Sequence, residues 1–181
     1  MSQKYDENEI AQLLADKNRQ REAFGRVVRQ YSEQLYWKIR RIVITHDDAN
    51  DVLQNAFLKA WNNLGDFQNK SKISTWLYRI AINEALDFVR RQKNKISADA
   101  DLSVANSLMA DDYFDGDEAQ ALLQEAISRL PDVQRTVFTL RYFDDMKYSE
   151  ISQILGTSEG ALKASYHIAV QKISDFFNKH D

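Results

Sequence analysis

Over 181 residues the chain carries one proline and five glycines, so long stretches contain nothing that breaks a helix. Within those stretches apolar residues return every three or four positions. Phe24, Val27, Val28, Tyr31 and Leu35 do so, and Ala49, Val52, Leu53, Ala56, Phe57, Ala60, Trp61 and Leu64 repeat the pattern. That spacing follows the α-helical turn and gives each segment one apolar stripe. Hydrophobic residues make up 44% of the chain, enough for the stripes to pack into cores. The expected fold class is all-α, and a turn-rich β architecture is disfavoured.

Charge divides the chain further. Residues 1–96 hold 17 Lys and Arg against 12 Asp and Glu, 97–118 hold seven acids and no base, and 119–181 hold seven bases and eight acids. The net charge of −3 is an average over unlike segments and does not exclude a polyanionic partner. Residues 97–118 lack helical periodicity and follow the basic run Arg90-Arg91-Gln92-Lys93-Asn94-Lys95. They read as an acidic, extended and flexible linker between two small helical domains, 1–96 and 119–181. On composition alone, a solvated loop between packed domains is the simpler account.

In the second domain, residues 119–130 read as a helix, Pro131 suits the start of the next, and Asp144-Asp145 ends it. A short helix from Tyr148 to Leu155 then stops at Gly156, whose missing Cβ tolerates a left-handed turn. Ser158 is placed to cap a new helix. Along it Leu162, Tyr166, Ala169, Ile173 and Phe176 share one face and leave Gly160, Lys163, Ala164, His167 and Gln171 outward. This is the layout of a helix-turn-helix, whose second helix enters the DNA major groove. Alone it is equally compatible with a two-domain transcriptional regulator.

The segment 73–93 reads as a helix with Ile73, Trp76, Leu77, Ile80, Ala81 and Phe88 on one face. Lys72, Thr75, Arg79, Asn83 and Arg90 form a stripe that mixes cations for phosphate with an amide for a base edge. Glu84 falls on the apolar face and Leu86 within the polar stripe, and neither fits a two-faced helix. Ahead of it, Phe67 and the loop Gln68-Asn69-Lys70-Ser71-Lys72 offer an aromatic ring, amides, a hydroxyl and two lysines. Such groups can hold a base taken out of the stack. In the helix 48–61, Asp47, Asp48 and Asp51 complement the positive end of the helix dipole, which by itself accounts for them.

Taken in order, these blocks resemble the sigma-70 family of RNA polymerase sigma factors, extracytoplasmic-function (ECF) type. Asp48-Ala-x-Asp51-x-x-Gln54-x-x-Phe57-x-x-x-Trp61 is similar to that family's core-polymerase-binding helix. Phe67 with Ser74-Thr75-Trp76-Leu77-Tyr78-Arg79-Ile80-Ala81-x-Asn83 is similar to its −10 segment. Leu130-Pro131-x-x-Gln134-Arg135-x-Val137-Phe138-x-Leu140-Arg141-Tyr142, then Tyr148-x-Glu150-Ile151 and Gly156-x-Ser158, resembles its −35-binding domain.

The resemblance implies a promoter-specificity subunit that opens DNA and is not an enzyme. Its implied partners are core polymerase, promoter DNA and an anti-sigma factor. It assigns core binding to Asp48, Asp51, Gln54, Asn55 and Trp61. It assigns the −10 element to Phe67, Gln68, Asn69, Lys70, Ser71, Lys72, Arg79, Asn83 and Arg90. The −35 element falls to Arg141, Ser158, Glu159, Gly160, Lys163, Ala164 and His167. By the same resemblance, the linker threads near the polymerase active centre and RNA exit channel. The chain departs from the family in the recognition helix, where Ser165, Ile168 and Val170 stand in place of common cations. Phosphate attraction then falls to Arg135, Arg141, Lys147 and the helix N-terminus.

No apolar run approaches a membrane span, and the polar start, Met1 to Glu9, carries no secretory signal. Zero cysteines exclude disulfides, thiolate metal sites and a cysteine nucleophile, and suit a reducing bacterial cytoplasm. His46 and His180 lack partners at ligand spacing, and there is no phosphate-binding glycine loop. The expectation is no metal, no cofactor and no small-molecule substrate.

Overall fold

The computed structural model describes residues 5–67, 70–93 and 104–179, and within them there are helices and no strands. In chain order they are α1 (Glu7–Ala15), α2 (Gln20–Val43), α3 (His46–Asn62), α4 (Ile73–Lys93), α5 (Val104–Met109), α6 (Glu118–Ser128), α7 (Asp132–Tyr142), α8 (Tyr148–Leu155) and α9 (Glu159–Asn178). A single 3-10 turn, Leu64–Asp66, follows α3. Gln68, Asn69 and His180 lie outside the described residues.

The boundaries have local causes. Thr45 Oγ1 accepts from the Asp48 N–H at 3.2 Å and caps α3, and Asp117 caps α6 from the Gln120 N–H. Gly156 ends α8 at φ 66°, and Ser158 caps α9 from the Ala161 N–H at 3.3 Å. The turn and cap of the helix-turn-helix are therefore those its sequence dictates.

The long helix α2 is the shared wall of the structure. Val27, Tyr31, Leu35, Ile39 and Ile42 are buried along it, against α1, α3 and α4. The helix α4 is covered on more than one side. It packs on α2 and α3, and it also meets α8 of the C-terminal half. Leu86, only 7% exposed, belongs to the buried cluster that takes in Val137, Leu140, Ile151 and Ile154. That second contact explains a leucine in the polar stripe. Glu84 is explained by Lys59 of α3, whose Nζ donates to its carboxylate at 2.6 Å.

The two halves meet at the C-terminal end of α2 through charged groups. Asp144, just past α7, receives Lys38 Nζ at 3.0 Å and Arg41 Nη1 at 3.1 Å. Arg41 also lies over the Phe143 ring. From α7, Arg135 donates to the Ile42 carbonyl and to the Ser128 and Leu130 carbonyls that end α6. Arg135 is 5% exposed, which corrects its assignment to phosphate attraction. Its burial lowers the guanidinium pKa, partly opposed by Asp132.

The expected extended linker is also corrected over its later part. Residues 104–109 form α5, and Ala105 and Leu108 pack with Ala121 of α6 in a small core of their own. Glu125 accepts from the Ala105 N–H and from Arg129. Ile44, at φ 79°, packs against this core, which holds a β-branched residue in a conformation costing about 1–3 kcal/mol. Asp111 accepts from Arg40 at 2.7 Å and from the Tyr113 N–H at 2.9 Å. The Tyr113 ring stacks on His46, centroids 3.7 Å apart. A helix of six residues surrounded by acids offers too short a period to be read from sequence; its partners on α6 and α2 make it.

Two outcomes follow. Asp144→Ala leaves buried Lys38 and half-buried Arg41 without their carboxylate and should lower stability by about 3 kcal/mol in urea unfolding; a loss under about 1 kcal/mol would show that the pairing carries no weight. For Asp111, burial opposes the carboxylate, but the Tyr113 N–H and Arg40 outweigh it and lower its pKa. A depressed carboxyl stabilises the fold above the ordinary carboxylate range and loses that contribution as pH falls through its lowered value. Asp111→Asn at neutral pH, or acidification of the native chain below that range, should lower amide protection over residues 104–116, measured as exchange relative to the unfolded chain at the same pH. Unchanged exchange in the variant would contradict the clamp.

Candidate polymerase and nucleic-acid interfaces

The helix α3 buries Ala49, Val52, Ala56 and Ala60, and small side chains there bring it close to its neighbours. Its other face carries Asp51, Gln54, Asn55 and Trp61, all exposed. Asp48 is half-buried, and its carboxylate accepts from the Thr45 hydroxyl at 2.7 Å, so part of its duty is the cap. Trp61 is 39% exposed with its ring edge against Phe24. Leu58, 61% exposed, sits one turn after Gln54 among these polar residues. Sequence periodicity missed it because it lies off the apolar stripe, and its exposure is the signal.

The −10 candidates divide. Phe67 is half-buried with its ring 5.1 Å from that of Trp76, so the start of the loop is anchored to α4. Lys70, Ser71 and Lys72 are exposed beside it. Arg79 and Asn83, one turn apart on α4, both face solvent. Arg90 is exposed but pairs with Asp87 at 3.3 Å and reaches Asp132 of α7 at 3.9 Å. Gln68 and Asn69, as noted, are outside the described residues.

On α9 the expected sorting holds. Leu162 and Ala169 are fully buried, Tyr166 is half-buried, and Glu159, Gly160, Lys163, Ala164 and His167 are exposed. Ser158 is exposed and serves as the cap. Lys163 Nζ lies 5.7 Å from the Tyr148 ring centroid, and the Arg141 guanidinium lies 5.3 Å from it. Arg141 also donates to Asp145 at 2.9 Å and to the Met146 carbonyl at 3.0 Å. It is thus held to the loop ahead of α8. Ile168 and Val170, 40% and 41% exposed, were not among the sequence candidates.

Among the described residues no group of three or more His, Cys, Asp or Glu could hold a metal ion, and no helix is long and apolar enough to cross a membrane. His46 is engaged within the fold, its Nδ1 lying 2.8 Å from the Tyr36 hydroxyl and its Nε2 3.0 Å from the Asn50 amide.

Comparison with known proteins fits this geometry. Residues 27–95 match the family model of Sigma-70 region 2 and residues 120–173 that of Sigma-70, region 4. The ECF RNA polymerase sigma factor SigW of Bacillus subtilis is 32% identical over 162 residues, covering 83% of this chain and 87% of that protein. The RNA polymerase sigma-H factor of Pseudomonas aeruginosa is 30% identical, covering 78% and 79%. Among solved structures, CnrH in complex with the cytosolic domain of CnrY superposes with TM-score 0.71 at 25% identity, over 97% of this chain and 99% of that one. The sigma factor RpoE of Bartonella quintana, in complex with the anti-sigma factor NepR, shares the fold with TM-score 0.65 at 20% identity, covering 86% and 96%.

The chain belongs to the ECF group of the sigma-70 family. It is a non-enzymatic subunit that directs bacterial RNA polymerase to promoters and initiates transcription there.

Proposed function

We propose that residues 1–96 form the unit that binds core polymerase and the −10 element, and 119–181 the unit that binds the −35 element, with 97–118 as the acidic connector. The outer face of α3 carries the first assignment. It places exposed Leu58 at the centre of a rim formed by Asp51, Gln54, Asn55 and Trp61, with Asp48 at its edge. An apolar centre in a polar rim is the usual anatomy of a protein interface.

The −10 reader is the loop from Phe67 through Gln68, Asn69, Lys70, Ser71 and Lys72 together with Arg79 and Asn83. Arg90 supplies phosphate attraction. The −35 reader is the start of α9: Ser158 and Glu159 at the helix end, Gly160, Lys163, Ala164 and His167 along it, and Arg141 beside it on the backbone. The chain works in the bacterial cytoplasm, and an anti-sigma factor restrains it. The second point is supported by the structural likeness to CnrH, which was solved with the cytosolic domain of another protein, CnrY, and by the anti-sigma factor NepR bound to the RpoE that shares this fold.

Asp51→Ala with Gln54→Ala, and separately Leu58→Asp, should abolish pull-down of core enzyme while leaving the helical circular dichroism unchanged. Normal pull-down by either folded variant would remove that part of the face from the interface. Asn83→Ala should reduce permanganate reactivity of the −10 region in holoenzyme without loss of core binding. One good base contact is worth about 1–3 kcal/mol of discrimination, so a clear fall in opening is expected. Unchanged opening and unchanged −10 preference would mark Asn83 as plain surface.

A further inference from the structure

On α9 the large aliphatic side chains Leu162 and Ile173 are buried, yet Ile168 is 40% exposed and Val170 41%. Ile168 stands one turn after Ala164 and two after Gly160, so the three form a row along the helix beside the row of Lys163, His167 and Gln171. All six are exposed. The first row holds no cation and no hydrogen-bonding side chain. Nor does packing demand its small size at the start, since a Cβ built at Gly160 would meet nothing within 4 Å. Ile168 belongs to none of the apolar clusters of the fold.

Four residues of helix rise about 6 Å, which spans roughly two base steps. A row of this chemistry cannot bond a base edge. What it can contact in a major groove is the C5-methyl group of thymine, the apolar feature of the base edges there. An arginine at the same place would instead form a bidentate pair with guanine.

We propose that Ile168, with Ala164 beside it, reads thymine methyl groups in the −35 element, so that this sigma factor selects a T·A pair where a cation would select guanine. The inference rests on the reading of α9 as the −35 helix. It adds to the roles of Lys163 and His167 a contact that is apolar and does not depend on salt.

The test uses holoenzyme assembled from the full chain and core polymerase. A −35 sequence is first selected from a randomised pool, and each thymine is then replaced by deoxyuridine, which lacks only the methyl group. The native chain should lose about fourfold in promoter binding at one or two positions, the value of one buried methyl-sized group. Ile168→Ala should show the same loss on thymine and no further loss on deoxyuridine at that position. Ile168→Arg should move the selected base there to guanine. Because the residue is exposed, both variants should fold, which thermal unfolding and core binding check.

Equal binding of thymine and deoxyuridine throughout the −35 element would overturn the proposal. So would deoxyuridine penalties that all persist undiminished, at every such position, in Ile168→Ala. If Lys163→Ala changes the selected sequence and Ile168→Ala does not, the methyl contact fails while α9 keeps its role. If no α9 variant changes it, the reading of α9 fails and the methyl contact with it. Loss of a protein partner by Ile168→Ala with unchanged base preference assigns the side chain to a protein contact and also overturns the proposal.

Discussion

The end of α2 concentrates three cations, Lys38, Arg40 and Arg41, where the two halves of the molecule meet, and the arrangement of everything else depends on how they are neutralised. Asp144 takes two of them and Asp111 the third. Charges removed from water cost several kcal/mol each unless well paired, so the seam closes in a register that matches carboxylate to cation. The apolar cluster that also crosses the seam, Leu86 with Val137, Leu140, Ile151 and Ile154, is not directional and sets the register less sharply. Displacing α7 or α5 by one turn, by contrast, would strand a buried charge. The same end of α2 carries the Ile42 carbonyl that Arg135 satisfies and the strained Ile44 that the α5–α6 core covers.

With the halves packed in this way, Arg79 and Asn83 on α4 and the row from Lys163 to Gln171 on α9 remain exposed. The seam is formed by α2 and α4 against α7 and α8. The two proposed readers are unequal in chemistry. The N-terminal half has the excess of cations, while α9 carries Lys163 and Lys172 among its outward residues. Phosphate neutralisation supplies most nonspecific affinity, so α9 alone should bind DNA weakly. Weak binding suffices when the chain is already held on the polymerase, because tethering raises the effective concentration of the second reader. If α9 reads the −35 element as proposed, its low charge puts a larger share of that work on contacts to bases.

Much of this was legible in the sequence because it rests on local rules. The 3.6-residue stripe located α2, α3, α4 and α9, and Gly156 with Ser158 defined the helix-turn-helix to the residue. What escaped is nonlocal. Leu86 and Glu84 looked anomalous because a stripe assumes one packing partner, and α4 has several. Arg135 read as a DNA cation because nothing near it in sequence reveals that three carbonyls from two helices converge on its guanidinium. The helix α5 hid among acids, since its stability comes from Glu125, Arg40 and His46, all distant in sequence. Leu58 passed unnoticed for the opposite reason: it lies off every core stripe, and only exposure in the folded chain makes it conspicuous.

The most direct test of the central claim is transcription in a purified system. Core polymerase with this chain should initiate from a defined start on a duplex promoter obtained by selection with the same holoenzyme. Initiation should fall sharply when either the −10 or the −35 element is scrambled, and to the level of core polymerase alone when the chain is omitted. Transcription no greater with the chain than without it, or a start site indifferent to both elements, would contradict the account.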